Sequence, residues 1–178
     1  MTEFARPFLE GPMPYVKPVI SSGHTLIAMV GLPRSGKSTW AKATGYPIVN
    51  RDAIRLALHG ERFISDAEAL VKVHALYMIK SLFLAGNKIV ILDETNTTRA
   101  RRDFWVEAGK WTTYFKAMTV GADRCKERAK DDGEILGVID RMDKGFDLLD
   151  VGEIRVEDNS DLHDMLEYEI DRSGYKYA

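Results

Sequence analysis

The chain has 178 residues, 45% hydrophobic and 29% charged, with a formal net charge of -2. That length suits one hydrophobic core rather than two, and the composition is that of an ordinary globular protein. The charge gives no overall argument for nucleic-acid binding while leaving room for a local basic cleft, and one cysteine beside four histidines excludes a disulfide framework and argues against zinc.

Taken in chain order, residues 1–23 hold four prolines and two glycines and read as an irregular arm, with one short edge strand around Val16–Ile20. The start carries Glu3 and Glu10 and lacks a continuous apolar stretch, so it does not read as a signal peptide. No run approaches the roughly 20 apolar residues of a membrane span. The expectation is a cytoplasmic protein with no membrane partner.

The run TLIAMVG (25–31) reads as a buried strand entering a glycine turn, followed by a short helix over 36–45. A short strand at 46–50 and a short helix at 51–60 come next. The longest helix is expected over 66–85, with Ala69, Leu70, Val73, Leu76, Tyr77, Leu82, Phe83 and Leu84 at roughly helical spacing. KIVILDET (88–95) is nearly all apolar before its acidic end, as a strand covered on both faces should be. A helix follows at 98–110, then a β-branched and aromatic strand at 111–120. Polar helices at 122–132 and 137–149 flank Gly133. An edge strand at 152–158 and an amphipathic helix at 160–174, opened by the cap candidate Ser160, close the chain. Strands and helices alternate, which predicts an α/β fold with a mostly parallel sheet covered by helices on both faces. No internal boundary is evident, so residues 1–178 are expected to form a single domain.

Gly31 to Ser38 fits G-x-x-x-x-G-K-[ST] in full, between an apolar strand and a helix-compatible stretch. Such a loop turns backbone amides toward an anion, and the helix start adds further amides and a favourable dipole. Gly31, Pro33, Arg34, Ser35, Gly36, Lys37, Ser38 and Thr39 are therefore the nucleotide-site candidates. Lys37 would reach the outer phosphates of ATP and Ser38 would ligate Mg2+. Pro33 and Arg34 occupy free positions of the loop, and Arg34 lies near the phosphates or points to solvent. At the end of the later strand, Asp93 and Glu94 are the metal-side carboxylates; neighbours on a strand point to opposite faces, and Asp93 is the first choice.

NRDAIR (50–55) places Asp52 at the start of a helix, with Arg55 one turn on. A carboxylate there can position a hydroxyl and take its proton, and an arginine beside it can hold an anionic group. The alternative is a capping aspartate with an exposed ion-pair partner. ETNTTRARR (94–102) adds Thr95 and Asn96 beside the same cleft, with Arg99 and Arg102 three residues apart and Arg101 on a different part of the helix. Residues 123–146 read as a lid or as an ordinary exposed helix pair. Arg124, Arg128 and Arg141 are its nucleotide-side candidates, Lys144 lies on the face of Arg141, and Met142 and Phe146 suit packing.

GLPRSGKSTW, NRDAIR, DETNTTRARRDFW and RCKERAKDDG…VIDRM stand in the order of the phage-type polynucleotide 5'-hydroxyl kinases, which the chain resembles over about residues 25–146. Those belong to the small phosphate-loop (P-loop) kinases with an adenylate-kinase-like core and a small helical lid. The resemblance implies Lys37 and Ser38 as the phosphate and magnesium contacts, Asp52 as general base, and Arg55 as the holder of a phosphate 3' to the acceptor nucleoside. It further implies Thr95 as an acceptor contact and Arg128 as a lid arginine acting in transfer. Glu94 stands where the family has an aspartate. Asp132 replaces a second lid arginine, and an acidic residue there cannot hold a phosphate; Lys130 or Arg124 supplies the charge, or the acceptor differs. The chain is too short for the phosphatase domain of bifunctional relatives, so no phosphatase activity is expected, and a phage origin would suit the resemblance.

The expected function is ATP-dependent phosphorylation of the 5'-hydroxyl end of DNA or RNA, with Asp52, Arg55, Thr95, Asn96 and Arg102 on the acceptor side. The alternative is a kinase for a small hydroxyl compound such as a nucleoside or antibiotic. A regulatory nucleotide-binding protein is the third class; it would not need Asp52 and Arg55 together.

Overall fold

The structure, a computed structural model, describes residues 23–107 and 111–149. The edge strand around Val16–Ile20, the strand at 152–158 and the helix at 160–174 lie outside the described residues. Among those described, the elements run β1 (Thr25–Val30), α1 (Lys37–Ala43), β2 (Ile48–Asn50), α2 (Arg51–His59), a 3-10 turn at Ser65–Ala67, α3 (Glu68–Leu84), β3 (Ile89–Asp93), α4 (Arg99–Glu107), β4 (Thr112–Ala117), α5 (Ala122–Arg128) and α6 (Gly133–Lys144). No helix among them is long and apolar enough to cross a membrane.

The four strands form one parallel sheet in the order β2-β3-β1-β4. Every residue of β1 and β3 is buried, which is why both read as unbroken apolar runs rather than alternating ones. The two faces still sort by parity. Leu26, Ala28, Val30, Val90 and Leu92 pack with Ile54, α3 and Trp105 on one face. Ile27, Met29, Ile89 and Ile91 pack with Ala41 and Tyr114 on the other. Each fully buried Leu, Ile, Val or Met side chain among them contributes about 1.5–3 kcal/mol. A smaller cluster of Leu32, Cys125, Ala129 and Ile139, flanked by Met142 and Phe146, joins α5 and α6 to the loop after β1.

Two expectations need correction. In α3 the buried positions are Val71, Ala75, Ile79 and Phe83, a four-residue stripe toward the sheet, while Leu70, Val73, Tyr77 and Leu84 are exposed. The helix is apolar nearly all round, so periodicity alone could not select the inward stripe. α6 begins at Gly133 and ends at Lys144 rather than spanning 137–149. Asp132 caps it, accepting the Ile135 N–H, and Gly145 follows its last turn.

Candidate active site

Because β2, β3 and β1 lie side by side and run parallel, their carboxyl ends deliver three segments to one edge of the sheet: α2, the acidic end of β3, and the glycine loop. The loop has the conformation its sequence demands. Gly31 and Gly36 sit at φ 148° and 103°, and Arg34 at φ 63°. A Cβ on Gly31 would meet Ser35 Oγ at 2.9 Å and Met118 Cβ at 3.1 Å. The Gly31 N–H donates to the Thr95 carbonyl at 2.9 Å, pinning the loop to the end of β3.

Lys37 is buried at the start of α1, and its Nζ donates to the carbonyls of Gly31 at 3.0 Å and Leu32 at 2.6 Å. Burial pushes its ammonium below the usual lysine range, opposed by the nearby Asp93 carboxylate. Ser35 Oγ is buried without a hydrogen-bond partner, a polar atom provided for a ligand in the loop. Ser38 and Thr39 are exposed at the first turn of α1, and Pro33 is half-buried. These features fit a bound polyphosphate.

Asp93 and Glu94 separate as strand neighbours should. Glu94 turns to the α3–α4 face, where Arg51 Nη1 donates to its Oε1 and Trp105 Nε1 to its Oε2 at 3.0 Å. With both oxygens occupied by buried donors, Glu94 is a structural carboxylate. Asp93 turns the other way. It lines a cavity of about 420 Å³ with Ser38, Lys42, Ile48, Asn50 and Ala53. One hydroxyl and one carboxylate suit a magnesium ion whose other ligands are waters and phosphate oxygens.

Asn50 joins this side to α2. Its Oδ1 accepts the Ala53 N–H at 2.8 Å as the helix cap, and its Nδ2 donates to Asp93 Oδ2 at 2.8 Å. Asp52 then stands in the first turn, its side chain 80% exposed and contacted by Arg55 Nη1. Asn50, and not Asp52, is the cap. Arg55 is itself clamped: Nε and Nη2 donate to the two oxygens of Glu68, each at 2.7 Å. That bonding holds Arg55 above and Glu68 below their ordinary values. Arg51 completes the chain by donating to Glu68 at 2.7 Å as well as to Glu94.

Among the remaining candidates, Asn96 is buried at φ 43°, donates to the Met29 carbonyl at 2.9 Å and keeps Oδ1 without a partner. Arg102 is fully buried and donates to the carbonyls of Asn96, Asp147 and Leu148 at 3.2, 3.0 and 3.2 Å. It ties α4 to the chain after α6 instead of facing an acceptor. Arg101 is the arginine that meets Thr95, donating to its Oγ1 at 3.4 Å. Of the lid arginines, Arg128 reaches the phosphate loop, donating to the Arg34 carbonyl at 3.0 Å. Arg124 pairs with Glu127 on its own helix. Arg141 is exposed in the last turn of α6. Cys125 is buried, and burial raises its thiol. Sequence reasoning did not single out Arg51, Glu68, Arg62 or Trp105, or a role for Asn50; a helix-cap search would have found Asn50, whereas the others are partners across 11 to 70 residues.

Comparison with known proteins matches residues 26–134 to the family model described as an AAA domain. A structure of a Pnkp1/Rnl/Hen1 complex is similar at 26% identity and TM-score 0.55, over 63% of this chain and 41% of that one. A structure of the Pnkp1/Rnl/Hen1 RNA repair complex matches at 21% identity and TM-score 0.51, over 70% and 46%. The chain thus spans less than half the length of either. A sugar kinase from Janibacter sp. HTCC2649 matches at 17% identity and TM-score 0.57, over 83% of this chain and 94% of that one. The fold is an α/β P-loop NTPase fold consistent with an adenylate-kinase-like core.

Proposed function

The chain belongs to the AAA domain family, and from that premise we propose that it is a P-loop kinase moving the terminal phosphate of ATP onto a hydroxyl of a small molecule. The observation that carries this reading is the placement of Asp52. It is a largely exposed carboxylate in the first turn of α2, beside a cavity lined by Ser38 and Asp93, with Arg55 holding it. A regulatory nucleotide switch has no use for such a group.

ATP with its magnesium ion would supply the phosphoryl group and neutralise part of its charge. Ser38 and Asp93 would hold the metal, and Lys37 with the loop amides would hold the phosphates. Asp52 accepts the proton of the acceptor hydroxyl as that oxygen bonds to the terminal phosphorus and ADP leaves. Arg128, which donates to the loop carbonyl of Arg34, would approach the transferred group.

Arg55 favours the small acceptor over a nucleic-acid end. The fork that would grip an acceptor phosphate is occupied by Glu68, so an incoming anion must compete with a carboxylate. The second reading is a 5'-hydroxyl end of DNA or RNA. It is supported by the Asp52–Arg55 pair and by likeness to a protein of an RNA repair complex.

The test offers γ-labelled ATP and magnesium with a panel of sugars, nucleosides, a 3'-nucleotide and a 5'-hydroxyl oligonucleotide. Label on a small hydroxyl compound, lost in Asp52→Asn, is the expected result. Label on the oligonucleotide and 3'-nucleotide alone would select the second reading. Transfer unaffected by Asp52→Asn would overturn the assigned base.

A further inference from the structure

Asp132 lies in the turn between α5 and α6 and joins two segments distant in sequence. Arg62, in the turn after α2, donates through Nη1 to both of its oxygens, at 3.1 and 2.8 Å. Arg34 of the phosphate loop brings Nη2 to 3.6 Å of the same carboxylate. Glu134 lies 3.7 Å from Arg62 as a second acid. One carboxylate thus links the phosphate loop to the turn that follows α2. Arg62 also senses Asp52: the Asp132 hydrogen bond raises it most, and Asp52 adds a smaller push in the same direction.

Both arginines are more than half exposed, at 58% and 51%. Without Asp132 they would give the surface beside the phosphate loop two solvent-facing cations, a ready contact for a phosphodiester backbone. With Asp132, and Glu134 beside it, the two positive charges are offset, and any phosphate brought to them must compete with a carboxylate already in place. Withdrawing positive charge from the surface a strand would touch is a way to reject a polyanionic ligand class.

We propose that Asp132 is an acceptor-selecting residue: it occupies Arg62 and Arg34 as a built-in anion and thereby excludes polyanionic strands while admitting small hydroxyl compounds. The inference rests on the small-molecule kinase reading and deepens it. It differs from a lid role in general because it assigns selectivity to one carboxylate and names the two cations that carry it.

The test is a binding measurement, so it does not depend on turnover. The full chain is titrated against a 5'-hydroxyl oligonucleotide labelled at its 3' end, followed by fluorescence anisotropy at two salt concentrations, with and without ADP and magnesium. Asp132→Asn removes the charge and keeps a good helix cap, and Asp132→Ser does the same with a second side chain. Both should tighten binding roughly fivefold, the scale of one like-charge contact in water, with a steeper salt dependence. Adding Arg62→Gln should remove most of that gain. Unchanged affinity in both single variants, or a gain that Arg62→Gln leaves intact, overturns the proposal. Wild-type turnover on small hydroxyl compounds is scored separately, so failure of the kinase reading is distinguishable from failure of the selector.

Discussion

The side-chain amide of Asn50 donates to the carboxylate of Asp93 at 2.8 Å, while its carbonyl oxygen caps α2. One residue therefore sets the position of α2 relative to the end of β3, and the parallel register that pairs Asn50 with Asp93 makes the contact possible. Asn50→Ala should lose about 1 kcal/mol of stability from the cap and raise the magnesium concentration needed for half-maximal turnover. Asn50→Ser keeps a capping oxygen but is too short for Asp93. It should recover the stability and not the magnesium response, as thermal unfolding and a metal titration would show.

Asp93 and Glu94 are adjacent in sequence and face different surroundings, so the same kind of substitution should give opposite phenotypes. Asp93→Asn should fold normally and lose turnover by about two orders of magnitude, the scale of removing one charge-stabilising group. Glu94→Gln leaves Arg51 with Glu68 as its remaining carboxylate partner and should cost about 2 kcal/mol in urea unfolding, the scale of one buried charge-assisted hydrogen bond. Comparable unfolding midpoints for the two variants would contradict this division.

Glu68 carries a pH signature. Its folded value lies below the ordinary 4.5, chiefly through the Arg55 hydrogen bonds. A depressed carboxylate contributes stability that is complete above the unfolded value and is lost as pH falls through the folded one. The Tm difference between wild type and Glu68→Gln should therefore be largest near neutrality and shrink through the acid range below 4.5. At neutral pH the variant should also lower kcat, because Arg55 and Arg51 both lose a partner.

Arg101 and Arg102 invert the sequence expectation. Arg102→Ala removes a buried guanidinium from three backbone carbonyls and should cost about 2–3 kcal/mol. Arg101→Ala should leave the unfolding midpoint within about 0.5 kcal/mol, as surface changes do, and raise KM for the acceptor. Chemical denaturation and initial-rate kinetics of the two variants check this division.

The fold and the donor half of the site were legible because they rest on short-range rules. Strand β1, the glycine loop and α1 follow one another within 20 residues, and each is specified by its own spacing. Helix boundaries were less so where a cap decided them: Asp132 begins α6 at Gly133, although the glycine itself reads as a break. The inward stripe of α3 was not legible, because an all-round apolar helix shows its buried side only once the sheet is beside it.

The phosphate loop, the alternation of strands and helices and the carboxylate at the head of α2 are written in short stretches of chain, since each depends on neighbours a few residues away. Which group each charge faces emerges only from packing. Glu94 met Arg51 and Trp105, Arg55 met Glu68, Arg102 met the chain after α6, and Asp132 met Arg62 across 70 residues. Charged side chains reach several ångströms and pair with whatever the packed backbone brings within hydrogen-bond distance. Residue type therefore names the chemistry available, and the fold selects the partner.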